Sequence, residues 1–389
     1  MQADAAVRAP DWGAALRAAA FAFLLSRLLV LLAAAVATSV MHQWPAAGDD
    51  ASTLRLLTDQ DLAHLEARVL ANDASWYQDI ATGGYEARPF DASRQANWAF
   101  FPLHPMLWRG LQATGLSPAA SGLLMAHLLF FIALVQMHRW VQVQWNRDLA
   151  DRSLLCLALF PASHFFSLPW SESLFAALLA TALLAMAQRR WGLMAGAAML
   201  AGGTRAVGVL LAPLLWWEAR RDPKAGWSRR WLYPLVAMAG LAAFMAWLWQ
   251  ATGNALAFAD IQAAWGRDGG SFTKHLLRWA ADPLLLAAPW NLVWLNNASL
   301  LLALAAAAWL WRAGQRPLAL LVLVYVLLPW STGTLVSMGR YVAACLPVFV
   351  ALAAWLAGPR RQLAWLVASA VGLAWMSAHF ALGQTFAGA

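Results

Sequence analysis

The chain has 389 residues, of which 62% are hydrophobic and 12% charged, with a formal net charge of +8 and a mean hydropathy of +0.56. Soluble domains carry about 25% charged residues, so a soluble domain is excluded, and apolar runs recurring from end to end predict an all-α polytopic membrane protein. The alternation of an outer-membrane barrel is absent, and the basic residues fall in short clusters between apolar runs, which orients a membrane protein and is no sign of a nucleic-acid partner.

Arg8 and Arg17 precede an apolar run from about Ala18 to Val40. It is longer than the roughly 7–15 residues of a signal-peptide core and predicts a first span with a cytoplasmic N-terminus. Arg27 inside it should face the bundle as an ion pair, or snorkel. Residues 41–115 form an outer loop with short interfacial helices. Leu54 to Leu70 has apolar residues at amphipathic spacing. Phe100 to Leu111 is broken by Pro102 and Pro105, too short to span, and reads as a dipping segment. Between them lies Leu70 to Tyr85, polar, acidic and aromatic, which must sit in water at the membrane edge or in a protein-lined cavity.

Further spans are predicted at Ala119–Gln136, Leu154–Leu168 and Leu174–Ala187, the last two joined by Pro169-Trp170-Ser171-Glu172-Ser173. Residues 191–217 have basic flanks on both sides, Arg189/Arg190 and Arg220/Arg221/Lys224/Arg229/Arg230. Both flanks should be cytoplasmic, yet two full spans need about 40 residues. A short broken helix pair with its apex at Gly202-Gly203-Thr204-Arg205 fits the length. Trp231–Trp249, a second outer loop at 252–290, and spans at Leu292–Trp311, Leu318–Trp330, Val342–Leu356 and Leu363–Leu382 complete a single domain, 1–389, of ten or eleven spans. Cys156 and Cys345 lie inside apolar runs and read as packing residues.

The remaining polar residues collect on the outer face: Asp73, Asp79, Glu86, Arg88, His104, Glu172, Arg205, Asp260, Arg267, Lys274, His275 and Arg340. Acids and arginines at such depth are functional candidates. A carboxylate can act as general base on a hydroxyl, and arginines and lysines can hold a phosphate. Plainer roles stand beside these: Asp73 and Glu172 as helix caps, Arg205 as a snorkelling residue, Arg340 as a belt anchor. No cofactor is expected. A divalent ion between Asp73 and Asp79 is a disfavoured alternative, since no His/Cys/Asp spacing reads as a metal site.

Asp73-Ala-Ser-Trp76-Tyr77-x-x-Ile80-Ala81-x-x-Gly84-Tyr85 resembles the first-loop motif of the GPI mannosyltransferase II (PIG-V) family, and Phe100-Phe101-Pro102-Leu103-x-Pro105 resembles its next block. Ser171-Glu172-Ser173, Thr204-Arg205-x-x-Gly208, Gln262-x-x-Trp265-Gly266-Arg267 and Ser337-Met338-Gly339-Arg340-Tyr341 are similar to later blocks of bacterial members, in order. One departure is Asn72, where members usually have Trp. The resemblance implies a GT-C type glycosyltransferase that takes a single sugar, mannose, from a polyprenyl-phosphate donor by inversion at the non-cytoplasmic face. Asp73 is then the base, Arg205 and Arg340 hold the lipid phosphate, and Arg267, Lys274 and His104 add phosphate or sugar contacts. Glu172 and Asp79 bind sugar hydroxyls or orient an arginine, and Trp76 and Tyr77 line the donor site. The composition points to a bacterial inner membrane, with an undecaprenyl-type donor and an acceptor glycan, lipid or protein that the sequence does not identify. The alternative is a transporter or flippase of a polyprenyl-linked sugar. Transporters often show repeats and midplane charges, whereas here the charges gather at one face.

Overall fold

The computed structural model describes residues 11–43, 56–267, 277 and 280–388. Among these the secondary structure is helical, with an isolated bridge between Ala288 and Asn291. In chain order the helices are α1 (Trp12–Gln43), α2 (Asp59–Val69), α3 (Asp73–Gly83), α4 (Leu103–Gln112) and α5 (Pro118–Gln144). Then follow α6 (Arg147–Ala158), α7 (Glu172–Ala187), α8 (Trp191–Gly202), α9 (Leu211–Ala219), α10 (Trp227–Thr252) and α11 (Ala257–Asp260). The last five are α12 (Val293–Arg312), α13 (Arg316–Trp330), α14 (Met338–Ala344), α15 (Pro347–Trp355) and α16 (Pro359–Ala381).

Five helices among the described residues (α1, α5, α10, α12 and α16) are long and apolar enough to cross a membrane, and up to seven spans result if each of two bent pairs counts as one. The chain is thus a multi-pass membrane protein. α7 is apolar and buried on almost every side, which marks a central helix, and it packs against α5 and α8. α1, α10 and α16 expose large apolar residues such as Phe21, Leu28, Leu235 and Val371, as lipid-facing helices do.

Two segments expected to be straight spans are not. Residues Leu154–Leu168 divide into α6, which ends at Ala158, and a 3-10 turn at Pro161–Ser167 that meets α7 at 101°. Val342–Leu356 divides into α14 and α15, bent by 87°. Proline stands at the break each time, Pro161 and Pro347, where the ring removes a donor and the preceding residue is pushed out of helical geometry.

A broken helix inside a membrane bundle frees polar groups that need partners. At the first break Arg27 supplies them. Its guanidinium donates to the Ser163 carbonyl at 2.9 Å and hydroxyl at 2.8 Å, the Ser167 hydroxyl at 2.7 Å and the Ala158 carbonyl at 3.4 Å, and lies over the Phe130 ring. The ion pair expected of Arg27 is therefore replaced by neutral oxygens, because the broken backbone needs donors at that point.

Residues 191–217 fold as α8, a turn, a 3-10 segment Ala206–Leu210 and α9. Close approach makes this possible. A Cβ at Gly240 would overlap the Met199 carbonyl, and one at Gly208 would overlap the Ala201 backbone. The turn is fixed from above by α4, where the Leu103 amide donates to the Gly203 carbonyl at 3.1 Å. The short helices at this end are also tied to the bundle. Asp61 of α2 accepts from Ser39 at 2.9 Å and pairs with His42 at 2.7 Å, and His64 meets the Ala381 carbonyl at the end of α16.

Candidate functional site

Four elements deliver four charged side chains to one place. Asp73 is the first residue of α3, Glu172 the first of α7, Arg205 ends the turn after α8, and Arg340 lies in the first turn of α14. Glu172 is fully buried, and its Oε1 accepts from Arg340 Nε at 2.7 Å and from Arg205 Nη2 at 2.9 Å. Arg340 Nη2 donates to Asp73 Oδ2 at 2.6 Å, across 267 residues of sequence. One guanidinium thus uses two of its nitrogens to join two carboxylates, a geometry that Lys cannot reproduce. Two arginines face two carboxylates, and the Asp73 side chain is the most open member at 29% exposure.

Aromatic rings seat the cations. Arg340 lies 4.3 Å from the Trp170 ring centroid and 5.3 Å from that of Phe165, and Arg205 lies 5.2 Å from that of Tyr341. The backbone just before α3 and α14 has a positive φ at a non-glycine residue, 58° at Asn72 and 68° at Ser337. Such conformations cost energy and persist where surroundings impose them. Behind Ser337, Asn296 of α12 accepts from the Gly339 amide at 2.8 Å and so fixes the start of α14.

The plainer roles for these residues do not match the contacts. Asp73 and Glu172 sit at helix starts, but their carboxylates go to arginines. Arg340 is buried and pairs with both carboxylates. Glu172 orients both arginines.

The other candidates divide. His104 is buried, its ring centroid 4.5 Å from that of Tyr77. Burial lowers its pKa to about 3 against the pull of Glu172, so the ring is neutral. Tyr77 also packs edge-on against Phe100, and Trp76 stacks on Phe100 at 5.8 Å with Trp265 alongside. Arg267 reaches the Tyr341 hydroxyl at 3.4 Å and touches the network only through that ring. Asp79 is exposed on α3. Lys274 and His275 lie outside the described residues.

The neighbourhood holds polar atoms without partners. Glu172 Oε2, Arg205 Nη1 and Trp170 Nε1 are buried and meet no hydrogen-bond partner among the described residues. Buried polar atoms are normally paired, so this cluster has capacity for a polar ligand. A separate cavity of about 420 Å³ opens between Tyr85–Pro89 and Trp247, Ala251 and Thr252 of α10. Among the described residues no group of three or more His, Cys, Asp or Glu side chains is placed to hold a metal ion.

Sequence reasoning missed the aromatic seats and Asn296. Tyr341 follows Arg340 directly and Trp170 stands two residues before Glu172, and that proximity was the available signal. Nothing local points to Asn296.

No family model matches the sequence, and no curated protein matches it. Among solved structures the chain is similar to ArnT from Cupriavidus metallidurans bound to undecaprenyl phosphate, at 16% identity over 89% of this chain and 62% of that one, with a TM-score of 0.49. It is also similar to the Archaeoglobus fulgidus oligosaccharyltransferase in complex with Zn and sulfate, at 14% identity over 92% of this chain and 53% of that one, with a TM-score of 0.44. For AglB from the same organism, in complex with an inhibitory peptide and a dolichol-phosphate, the values are 13%, 93%, 56% and 0.43. The chain spans between about half and three fifths of the length of these proteins. At such values the likeness assigns neither substrate nor residue, and the site stands on its own geometry.

Proposed function

We propose that the chain is a GT-C type glycosyltransferase that moves a single sugar from a polyprenyl-phosphate donor to an acceptor hydroxyl. Mannose is the sugar suggested by the resemblance to the PIG-V family, and the outer face of a bacterial inner membrane is the site suggested by the charge pattern. The observation that carries the reading is the Arg340 fork between Asp73 and Glu172, with Arg205 on the same carboxylate.

A single displacement at the anomeric carbon needs a base for the acceptor proton and cations for the departing phosphate. Asp73 is the accessible carboxylate and takes the proton. Arg205 and Arg340 meet the developing charge on phosphate in a water-poor setting, where such contacts are strongest. Glu172, fully buried, holds both guanidinium groups in place before the donor arrives. A phosphate leaving group needs little protonation, so no second acid is required.

The test is transfer from synthetic polyprenyl-phosphate-mannose by purified protein, with a panel of acceptors and with Asp73→Asn alongside. Turnover that depends on Asp73 establishes donor class and base together. If no lipid-phosphate sugar binds, the reading fails and the flippase alternative gains weight.

A further inference from the structure

The proposed reaction asks two things of Arg340 at one moment. It is bonded to the base, Asp73, at 2.6 Å, and it is a cation needed by the leaving phosphate. Its Nε is already committed to Glu172 at 2.7 Å. The Nη2 contact is the one with the more exposed partner, since Asp73 is 29% exposed whereas Glu172 is fully buried. Arg205 differs in that its Nη1 is buried with no hydrogen-bond partner among the described residues.

We propose that Arg340 is handed from Asp73 to the lipid phosphate during the reaction, so that base and donor compete for one guanidinium. This rests on the glycosyltransferase reading above and deepens it. In the free enzyme Asp73 is tied to Arg340. The donor phosphate takes the open Arg205 Nη1 and draws Arg340 Nη2 from Asp73, and the freed Oδ2 turns to the acceptor hydroxyl. As the acceptor oxygen bonds to the anomeric carbon, the bond from that carbon to the phosphate oxygen breaks with its electron pair. The acceptor proton passes to Asp73. The carboxylate goes from one negative charge to none, and the phosphate goes from a diester with one to a monoester with two. The charge beside Arg340 is therefore conserved, and the guanidinium follows it. Donor binding precedes acceptor activation, because Asp73 is engaged until phosphate arrives.

The consequence is counter-intuitive for a base: removing its charge should strengthen binding of the lipid phosphate. The probe is undecaprenyl phosphate, titrated into detergent-purified wild type and Asp73→Asn, and into both in an Arg340→Gln background. Asp73→Asn should bind about tenfold more tightly than wild type, the scale of releasing one charge-assisted hydrogen bond. In the Arg340→Gln background the same change should have less than about a third of that effect on a logarithmic scale. If Arg340→Gln does not accumulate as folded protein, Arg340→Lys replaces it, since Lys keeps the charge and loses the fork.

Equal or weaker binding by Asp73→Asn overturns the hand-off. So does an undiminished gain without Arg340, which would mean plain removal of a negative charge. Absence of binding to wild type and Asp73→Asn alike overturns the glycosyltransferase reading itself, a result distinct from either of these.

Discussion

Two buried arginine sites in this molecule are built on opposite principles. Around Arg27 all three guanidinium nitrogens meet neutral oxygens, from Ser26, Ala158, Ser163 and Ser167, and no carboxylate is involved. Around Arg340 and Arg205 the partners are carboxylates, and Glu172 Oε2 and Arg205 Nη1 are left over. The first site is saturated and closes a break in the backbone. The second carries charge of both signs, hydrogen-bonding capacity unused among the described residues, and an open edge at Asp73. A structural arginine is one whose capacity is used up. A reactive one retains capacity that only a further molecule can fill.

The contrast can be broken most sharply at Asp73. Asp73→Asn should lower sugar transfer by about 10²–10⁴-fold, the range for loss of a general base, with the melting temperature nearly unchanged; assays at saturating donor measure this. Glu172→Gln should damage both properties. Removing one partner of a buried ionic network costs about 3–5 kcal/mol, visible as a large drop in melting temperature, and the surviving folded protein should turn over slowly because neither arginine is held. Arg27→Met should separate the two regions. It leaves the Ser163 and Ser167 oxygens unpaired, at about 1–3 kcal/mol, while turnover per folded molecule stays at the wild-type level. A loss of turnover in step with Glu172→Gln would erase the distinction.

A smaller effect is expected of His104. Its folded pKa of about 3 lies below the ordinary 6.5, so below pH 6.5 the unfolded chain binds a proton that the folded one refuses. The stability contributed by its neutral burial is complete above pH 6.5 and falls as the pH drops toward 3. Between pH 7 and pH 5 the loss is about 2 kcal/mol. His104→Phe should remove that slope from a series of thermal melts, and an unchanged slope would mean that another group carries it. The smallest effect is at Ser337, whose left-handed backbone glycine adopts without penalty. Ser337→Gly should raise stability by about 0.5 kcal/mol, read as a rise in melting temperature, whereas no position in α1 or in Pro161–Ser167 has such a backbone to relieve.

The same contrast explains what could be read from sequence. Long spans such as α1, α5 and α10 are written in hydropathy, which is a sum over many residues and survives local error. The short pair between Arg190 and Arg220 follows from charge flanks and length together. The breaks at Pro161 and Pro347 were passed over because an apolar run gives no account of direction, and the partner that stabilises the first break, Arg27, is more than a hundred residues upstream. At the site, residue type names Asp73, Glu172, Arg205 and Arg340 only among twelve polar candidates, since charge at depth is conspicuous but does not rank its members. That Arg340 touches both carboxylates depends on contacts 168 and 267 residues apart, and no spacing rule spans such distances. Asp79 has the same residue type as Asp73 and lies only two turns away, yet it points to solvent, a matter of helix phase that composition does not record.

Arg27 also bears on the order in which the chain can be put together. α1 leaves the ribosome well before the Pro161 turn and is long and apolar enough to cross a membrane by itself. Its guanidinium acceptors at Ser163 and Ser167 are 136 and 140 residues further on. Until those are synthesised and inserted, α1 carries a charge in a nascent membrane segment with no lasting solvation, at about 2.5–3.5 kcal/mol. The early helix is therefore held in the bilayer by its apolar length alone, and becomes locked only when the Pro161 turn arrives to receive it. A ribosome stalled before Ser163 should therefore leave α1 extractable in a way that one stalled after Ser167 does not.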